Sequence, residues 1–234
     1  EEKAAKTAGL EPEEPIIVVL TRIYSTGLAV VRSLGSAGYT VDLVANCRKE
    51  GQTQVARASK YVRNSVEVVS RKVAGGGDRA IIRELMEYRN IEGRPLILFP
   101  TDDYTASVVD SNRDKLEEIF YMPTIVGGKQ GDVINLMKKT VQSRLAREAG
   151  LLMPEEWIIN LRNAVEIPED VIFPCFVKPI ESITGFKVEM RRCEDREELY
   201  KHLLWLKDRN DDRDILVQEF LDIDHEIDLS GVAL

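Results

Sequence analysis

Three short, almost uninterrupted apolar runs, separated by helix-length amphipathic segments, leave this chain few folds to choose from. The runs are Ile16-Ile17-Val18-Val19-Leu20, Thr40-Val41-Asp42-Leu43-Val44-Ala45 and Pro95-Leu96-Ile97-Leu98-Phe99. A strand with one wet face alternates apolar and polar residues, whereas a strand covered on both faces does not. Runs of this kind therefore predict a parallel sheet with helices on both sides. Between the first two, Ser25-Thr26-Gly27 can cap a helix, Leu28, Val31 and Leu34 line one face of it, and Gly38 ends it. That unit reads as a right-handed parallel βαβ crossover. A Gly75-Gly76-Gly77 stretch then precedes a helix carrying Ile81, Ile82, Leu85 and Met86. Pro100-Thr101-Asp102-Asp103 breaks the third run and opens another helix, and 121–126 reads as a last short strand.

The pattern changes after Gly127-Gly128-Lys129-Gln130-Gly131, which marks the expected domain boundary. A long helix is expected over 132–149, with Val133, Leu136, Met137, Val141, Leu145 and Ala149 on one face and Gly150 as its stop. Strands are expected at 156–160, 175–180, 187–191 and 215–220, with a helix over 196–207. Residues 1–14, rich in Glu, Ala and Lys, read as a flexible leader. The end, Asp228-Leu229-Ser230-Gly231-Val232-Ala233-Leu234, reads as an apolar strand without a partner layer. That suggests part of a longer protein. The division expected is 1–14, 15–130, 131–221 and 222–234.

The net charge of −8 is spread through the 234 residues, so any bound anion needs a local cluster of donors. Neither a nucleic-acid groove nor a polybasic membrane patch is expected, and no run is long enough to span a bilayer. Cys47, Cys175 and Cys193 fit neither a disulfide framework nor a zinc site, which favours a reducing cytoplasm. His202 and His225 form no ligand constellation, and His202 is placed on a helix surface.

Lys178 stands in the apolar strand Phe173-Pro174-Cys175-Phe176-Val177-Lys178-Pro179. An ammonium there must be hydrated, paired or bound to an anion. It can aim at phosphates, or snorkel from an edge strand to water. Lys139, beside Lys138, lies off the apolar stripe of its helix. Ser182, Thr184 and Gly185, in the segment after Lys178, can offer backbone N–H groups to phosphate or form a plain hairpin turn. Downstream, Gln218-Glu219-Phe220-Leu221 closes a strand, and Glu226 follows a short polar break. A carboxylate such as Glu226 can accept two hydrogen bonds from a vicinal diol. In the first half, Arg22, Ser25, Thr26 and Gly27 lie between a strand end and a helix start, with Thr101, Asp102 and Asp103 expected nearby. These loops can face a substrate or simply cap helices. Neither a Gly-x-Gly-x-x-Gly fingerprint nor a Walker loop is present.

In order and spacing, these segments resemble the ATP-grasp superfamily over residues 16 to 234. Phe99-Pro100-Thr101-Asp102-Asp103-Tyr104-Thr105-Ala106-Ser107 and Lys178-Pro179-Ile180-Glu181-Ser182-Ile183-Thr184-Gly185 look most like its carboxylate–amine ligases, D-aspartate ligase-like and carbamoyl-phosphate-synthase-like members among them. The resemblance implies an α/β fold. A Rossmann-like pre-ATP-grasp domain (15–130) would precede an α+β first ATP-grasp subdomain (131–221) and the start of a second, largely missing one (222–234). It implies ATP held by Lys139, Lys178, Ser182, Thr184, Gly185, the 218–221 segment (Gln218, Glu219, Phe220, Leu221) and Glu226. It also implies Mg²⁺, whose ligands would lie beyond Leu234, so no metal ligand is assigned. The implied reaction phosphorylates a carboxylate with ATP, and an amine or amino acid then attacks the acyl phosphate. Catalytic residues are not assigned, and a homo-oligomer is compatible with this reading. Two other classes stay open: a non-catalytic nucleotide-binding or regulatory protein, and a plain α/β interaction domain.

Overall fold

The computed structural model describes residues 14–22, 25–47, 49–50, 52, 54–69, 78–88, 92–123, 128–180, 189–209, 213–225 and 227. The expected leader up to residue 13, the Gly75–Gly77 stretch and the last residues, 228–234, lie outside the described residues. The chain forms two compact units, 1–137 and 138–234.

The first unit is built on β1 (Ile16–Thr21), β2 (Thr40–Cys47), β3 (Val62–Val69) and β4 (Leu96–Pro100), in the spatial order β3-β2-β1-β4. Every pairing among them is parallel, with Ile16 opposite both Thr40 and Leu96. The central strand explains the continuous apolar run. Ile16, Val18 and Leu20 face one core, with Ile81 and Leu85 of α2 (Arg79–Met86) and Tyr104 and Val108 of α3 (Asp103–Asp110). Ile17 and Val19 face another, with Val31 of α1 (Ser25–Ser36), Val41 and Leu43. Each face thus has its own helix layer, as the absence of alternation required. At Gly27 the helix meets the strand so closely that an added Cβ would lie 2.2 Å from Thr21 Oγ1.

β3 had no counterpart in the sequence reading. Val62, Val66, Val68 and Val69 are interrupted by Arg63, Asn64, Ser65 and Glu67, and most of the strand is exposed at the sheet edge. The strand expected at 121–126 is, among the described residues, a single bridge between Tyr121 and Ile97. The remainder of it, 124–127, is outside them.

The single helix expected over 132–149 is two helices, α5 (Asp132–Leu136) and α6 (Lys139–Glu148), with the one-turn α4 (Arg113–Leu116) preceding them. The apolar periodicity runs through the join, but Lys138 has ψ 125°, an extended conformation. Each piece is tied to a different unit. The Ile134 N–H donates to Asp110 Oδ2 (3.0 Å), and the Lys139 N–H donates to the Ile180 carbonyl (3.2 Å).

The second unit is an antiparallel sheet of β5 (Glu156–Asn160), β6 (Cys175–Pro179), β7 (Arg191–Cys193) and β8 (Asp214–Glu219), in the order β5-β8-β6-β7. One face packs on α7 (Arg196–Lys207). Ile159, Cys175, Val177, Cys193, Ile215 and Val217 meet Leu199, Leu203 and Leu206 in its core. Asp195 caps α7, accepting from the Glu198 N–H at 2.9 Å. Cys175 and Cys193 are direct cross-strand partners and both are buried free thiols. His202 is not on the helix surface. It is buried in the same layer as Leu199 and Leu203, its Nε2 lies 2.9 Å from the Glu189 carbonyl, and its ring stacks on Trp205.

Candidate functional site

The alternation of the second sheet sets its chemistry. Val177, Val217 and Trp157 share the α7 side, so Lys178, Gln218 and Glu156 project from the other. β6 is an interior strand with β8 and β7 on its two sides, so Lys178 is not an edge lysine. Phe176 sits directly opposite Gln218, which puts Gln218 on the diagonal from Lys178 and within side-chain reach. The Lys178 Nζ donates to Gln218 Oε1 at 2.6 Å. The Gln218 Nε2 donates in turn to Glu156 Oε1 at 2.7 Å, an atom that also accepts from the Ser143 hydroxyl at 2.8 Å. Arg147 approaches the other Glu156 oxygen at 3.5 Å.

This arrangement leaves Lys178 under-compensated. Burial lowers its pKa from the ordinary lysine value, Glu156 opposes that, and the charge of Lys139 adds to it. Among the described residues Lys178 makes no ion pair; its nearest hydrogen-bond partner is a neutral amide. Two ammonium groups thus repel one another at a half-buried place, which an anion between them would relieve. Lys139 is the first residue of α6, and its backbone is tied to the end of β6 through Ile180. Lys138 precedes it as the cap.

At the end of β8 the chain leaves the sheet with its amides engaged. The Glu219 N–H donates to the Glu155 carbonyl and the Phe220 N–H to the Pro174 carbonyl, at 2.9 and 3.0 Å. The Glu219 carboxylate accepts from the Glu155 N–H at 3.2 Å. Leu221 follows and is exposed. Phe220 packs against Phe176 with ring centroids 6.4 Å apart, and the Arg192 guanidinium lies 4.3 Å over the Phe220 ring. An aromatic floor therefore lies on the same sheet face as the lysine. Sequence reasoning missed Glu156, Ser143, Phe176 and Arg192, because each acquires meaning only through strand pairing or helix placement. Ser182, Thr184, Gly185 and Glu226 lie outside the described residues.

In the first unit, the C-terminal ends of β1 and β4 lie side by side where the strand order reverses, the place at which open α/β sheets bind ligands. The Thr101 hydroxyl donates to Thr21 Oγ1 at 2.8 Å, and the Thr101 N–H donates to the Leu20 carbonyl. Asp102 caps α3, accepting from the Thr105 N–H at 3.1 Å, and Asp103 opens that helix. Arg22 is buried, with its guanidinium 4.4 Å over the Tyr104 ring. Gly27 is buried in the first turn of α1, while Ser25 and Thr26 are exposed. Among the described residues no three His, Cys, Asp or Glu side chains gather as a metal site, and no helix is long and apolar enough to cross a membrane.

No family model matches the chain. Among solved structures, an L-amino acid ligase from Bacillus licheniformis superposes with a TM-score of 0.58 at 14% identity, covering 91% of this chain and 48% of the ligase. An N5-carboxyaminoimidazole ribonucleotide synthetase from Thermotoga maritima gives a TM-score of 0.54 at 12% identity, covering 90% and 47%. The N5-carboxyaminoimidazole synthetase from Staphylococcus aureus gives 0.53 at 10%, covering 92% and 49%. The fold is therefore that of the ATP-grasp ligases, as the sequence reading expected, and the chain spans about half the length of these structures.

Proposed function

We propose that this chain is the nucleotide-binding part of an ATP-dependent ligase that joins a carboxylate to an amine through an acyl phosphate. The observation that carries the proposal is Lys178: an interior-strand ammonium, pressed by burial and by Lys139, hydrogen-bonded to Gln218 and lacking an acid partner among the described residues. The shared fold with ligases supports it.

In this reading Lys178 and Lys139 hold the phosphates of ATP. The Phe176–Phe220 surface takes the adenine ring, and Glu226 takes the ribose. The Leu221 N–H and the 219–221 carbonyls meet the adenine edge, because the Glu219 and Phe220 N–H groups are already engaged. Gln218 and Glu156 hold the Lys178 ammonium in place, and Gln218 also opens the segment that takes the nucleotide. Ser182, Thr184 and Gly185 complete the phosphate contacts. A substrate carboxylate oxygen attacks the γ-phosphorus, the bond to the bridging oxygen of ADP breaks, and the acyl phosphate forms. The amine then attacks the acyl carbon and expels phosphate. Positive charge beside the transferred group lowers the barrier to the first step. Mg²⁺ supplies further charge neutralisation in such reactions, and its ligands are proposed to lie beyond Leu234. Arg22, Ser25, Thr26, Gly27, Thr101, Asp102 and Asp103 are proposed to face the acceptor substrate.

The test is nucleotide titration followed by turnover. ATP should bind, and phosphate release by the full-length protein should depend on both an added carboxylate and an added amine. Nucleotide binding without such turnover would favour a regulatory protein, and no binding at all would leave an interaction domain.

A further inference from the structure

Cys175 in β6 and Cys193 in β7 are both 0% exposed, belong to one core layer, and face each other as direct partners of an antiparallel pair. Their thiols are hydrogen-bonded to each other. Nothing in the proposed chemistry uses them, and the other cysteine of the chain, Cys47, lies in the first unit. Direct partners hold their Cα atoms about 4.5–5.5 Å apart, inside the range of about 4.4–6.8 Å that a disulfide spans. Their Cβ atoms start about 4.5–5.5 Å apart, whereas a disulfide needs about 3.5–4.5 Å. Closure therefore draws the strands together and stores strain, which makes the bond reducible. β7 can take up that movement: it is three residues long, and among the described residues it pairs with β6 alone. The same property gives an oxidant its way in, because an edge strand opens locally without unfolding the sheet.

We propose that Cys175 and Cys193 are a redox modification site, closed by hydrogen peroxide into a reversible disulfide that clamps β7 to β6. Cys193 is the attacking thiol. Its pKa is lowered, chiefly by the hydrogen bond from Cys175 and further by Arg191, against burial; the Cys175 thiol is pushed up by Cys193 and by burial. The Cys193 thiolate attacks one peroxide oxygen, the O–O bond breaks, and hydroxide leaves, taking up the thiol proton to become water. Cys193 is then a sulfenic acid. The Cys175 sulfur attacks the Cys193 sulfur, the S–S bond forms, the S–O bond breaks, and the hydroxyl leaves with the Cys175 proton as a second water. The two thiols lose two electrons in all, and one peroxide gains them. A dithiol reductant reverses the bond by thiol–disulfide exchange. Arg192, next to Cys193, carries its guanidinium over the Phe220 ring, so the clamp holds the strand that makes that contact. The site stands on the strand register and is independent of the proposed ligase function.

The experiment treats the folded protein with hydrogen peroxide, quenches it with an alkylating agent, and maps the unreduced peptides by mass spectrometry. A peptide joining Cys175 to Cys193, short of two hydrogens, should appear within one chain, with Cys47 still a thiol. Dithiothreitol should restore both thiols, and glutathione buffers of graded ratio should give a reversible midpoint. Hydrogen exchange over 189–195 should slow at least about tenfold in the oxidised protein. Cys175→Ala should leave Cys193 as a sulfenic acid, read as a dimedone adduct. Because that variant could fail to fold, the wild-type peptide map is the deciding measurement. Sulfinic acid at Cys193 without a linked peptide, a link that forms only in urea, a link between chains, or a link that no glutathione ratio opens overturns the proposal. So do thiols left unmodified by peroxide that fully oxidises free cysteine. Unchanged hydrogen exchange in the linked protein overturns the clamp.

Discussion

Asp42 in the first sheet and Lys178 in the second are both charged groups in strands, and their surroundings are opposite. Asp42 is 3% exposed and saturated. Arg63 grips both its oxygens with Nε and one terminal nitrogen at 2.9 and 2.8 Å, the Asn64 N–H adds a bond at 3.2 Å, and the Tyr88 hydroxyl donates as well. Burial would raise the Asp42 pKa, but Arg63 and Tyr88 outweigh it and hold the carboxyl below its ordinary value. Lys178 has a neutral amide at 2.6 Å, a carboxylate one residue further away and a like charge nearby. The first cluster is complete without a ligand; the second gains from one. A charge whose partners are all supplied by the chain reads as structural, and one left short reads as functional.

The largest effect that would break this contrast lies in the first sheet. Asp42→Ala should cost about 3 kcal/mol, the low end for breaking a buried pair, because the Arg63 side chain is 32% exposed and keeps Glu92 as a partner. Urea unfolding would measure it, with nucleotide affinity unchanged in the folded protein. A loss below about 1 kcal/mol would mean that the pair is no stronger than a surface bridge.

Lys178→Met should do the reverse. Replacing an under-compensated ammonium by an apolar chain of similar length should leave stability equal or raise it. ATP affinity should fall by about 1.5–3 kcal/mol, roughly ten- to 150-fold, through loss of a charge-assisted bond to phosphate. Calorimetric titration and thermal melting on the same sample are sufficient. A lower melting temperature with unaltered ATP affinity would put Lys178 in the same class as Asp42.

Glu156→Gln sharpens the contrast by making the second cluster poorer still. The amide keeps the packing but removes the carboxylate charge that offsets Lys178. The Lys178 pKa should fall further, read as faster acylation of that lysine at fixed pH. Stability should drop by about 1 kcal/mol through weaker contacts to Ser143 and Arg147. An unchanged acylation rate would show that Glu156 does not act on the ammonium.

Much of this was legible in the residues, for reasons that differ between the units. Ile16–Leu20 announces a covered central strand because both neighbours and both helix layers are written into its lack of alternation. Val62–Val69 does not announce itself, since an exposed edge strand tolerates Arg63, Asn64 and Ser65 and so loses the apolar signal. The join at Met137-Lys138 was hidden because apolar periodicity survives a break whose cause is tertiary: Asp110 holds one piece and Ile180 the other. In the site, Lys178 and Gln218 stand out by motif. Glu156 does not, because its place beside them follows from the β5–β8 register. The stacking of Arg22 on Tyr104 is likewise a property of packing, and no pattern of neighbours along the chain reveals it.

His202 supplies the smallest test, a buried titratable group held neutral instead of paired. Burial lowers its pKa from 6.5; the Glu189 carbonyl acts in the opposite sense, and the charge of Arg191 adds to the lowering. As pH falls, the unfolded chain therefore takes up the proton first. The stabilisation is fully present above pH 6.5 and is lost as pH falls through the lower folded value. His202→Gln keeps a donor for the Glu189 carbonyl but cannot titrate, so its melting temperature should change less than that of the wild type between about pH 7 and pH 5, above the carboxylate range. The Asp42 cluster cannot produce this limb, because its carboxyl titrates below the window. Identical pH profiles for the two proteins would show that His202 has the same proton affinity folded and unfolded, and that burial in the α7 layer leaves its charge as well solvated as water does.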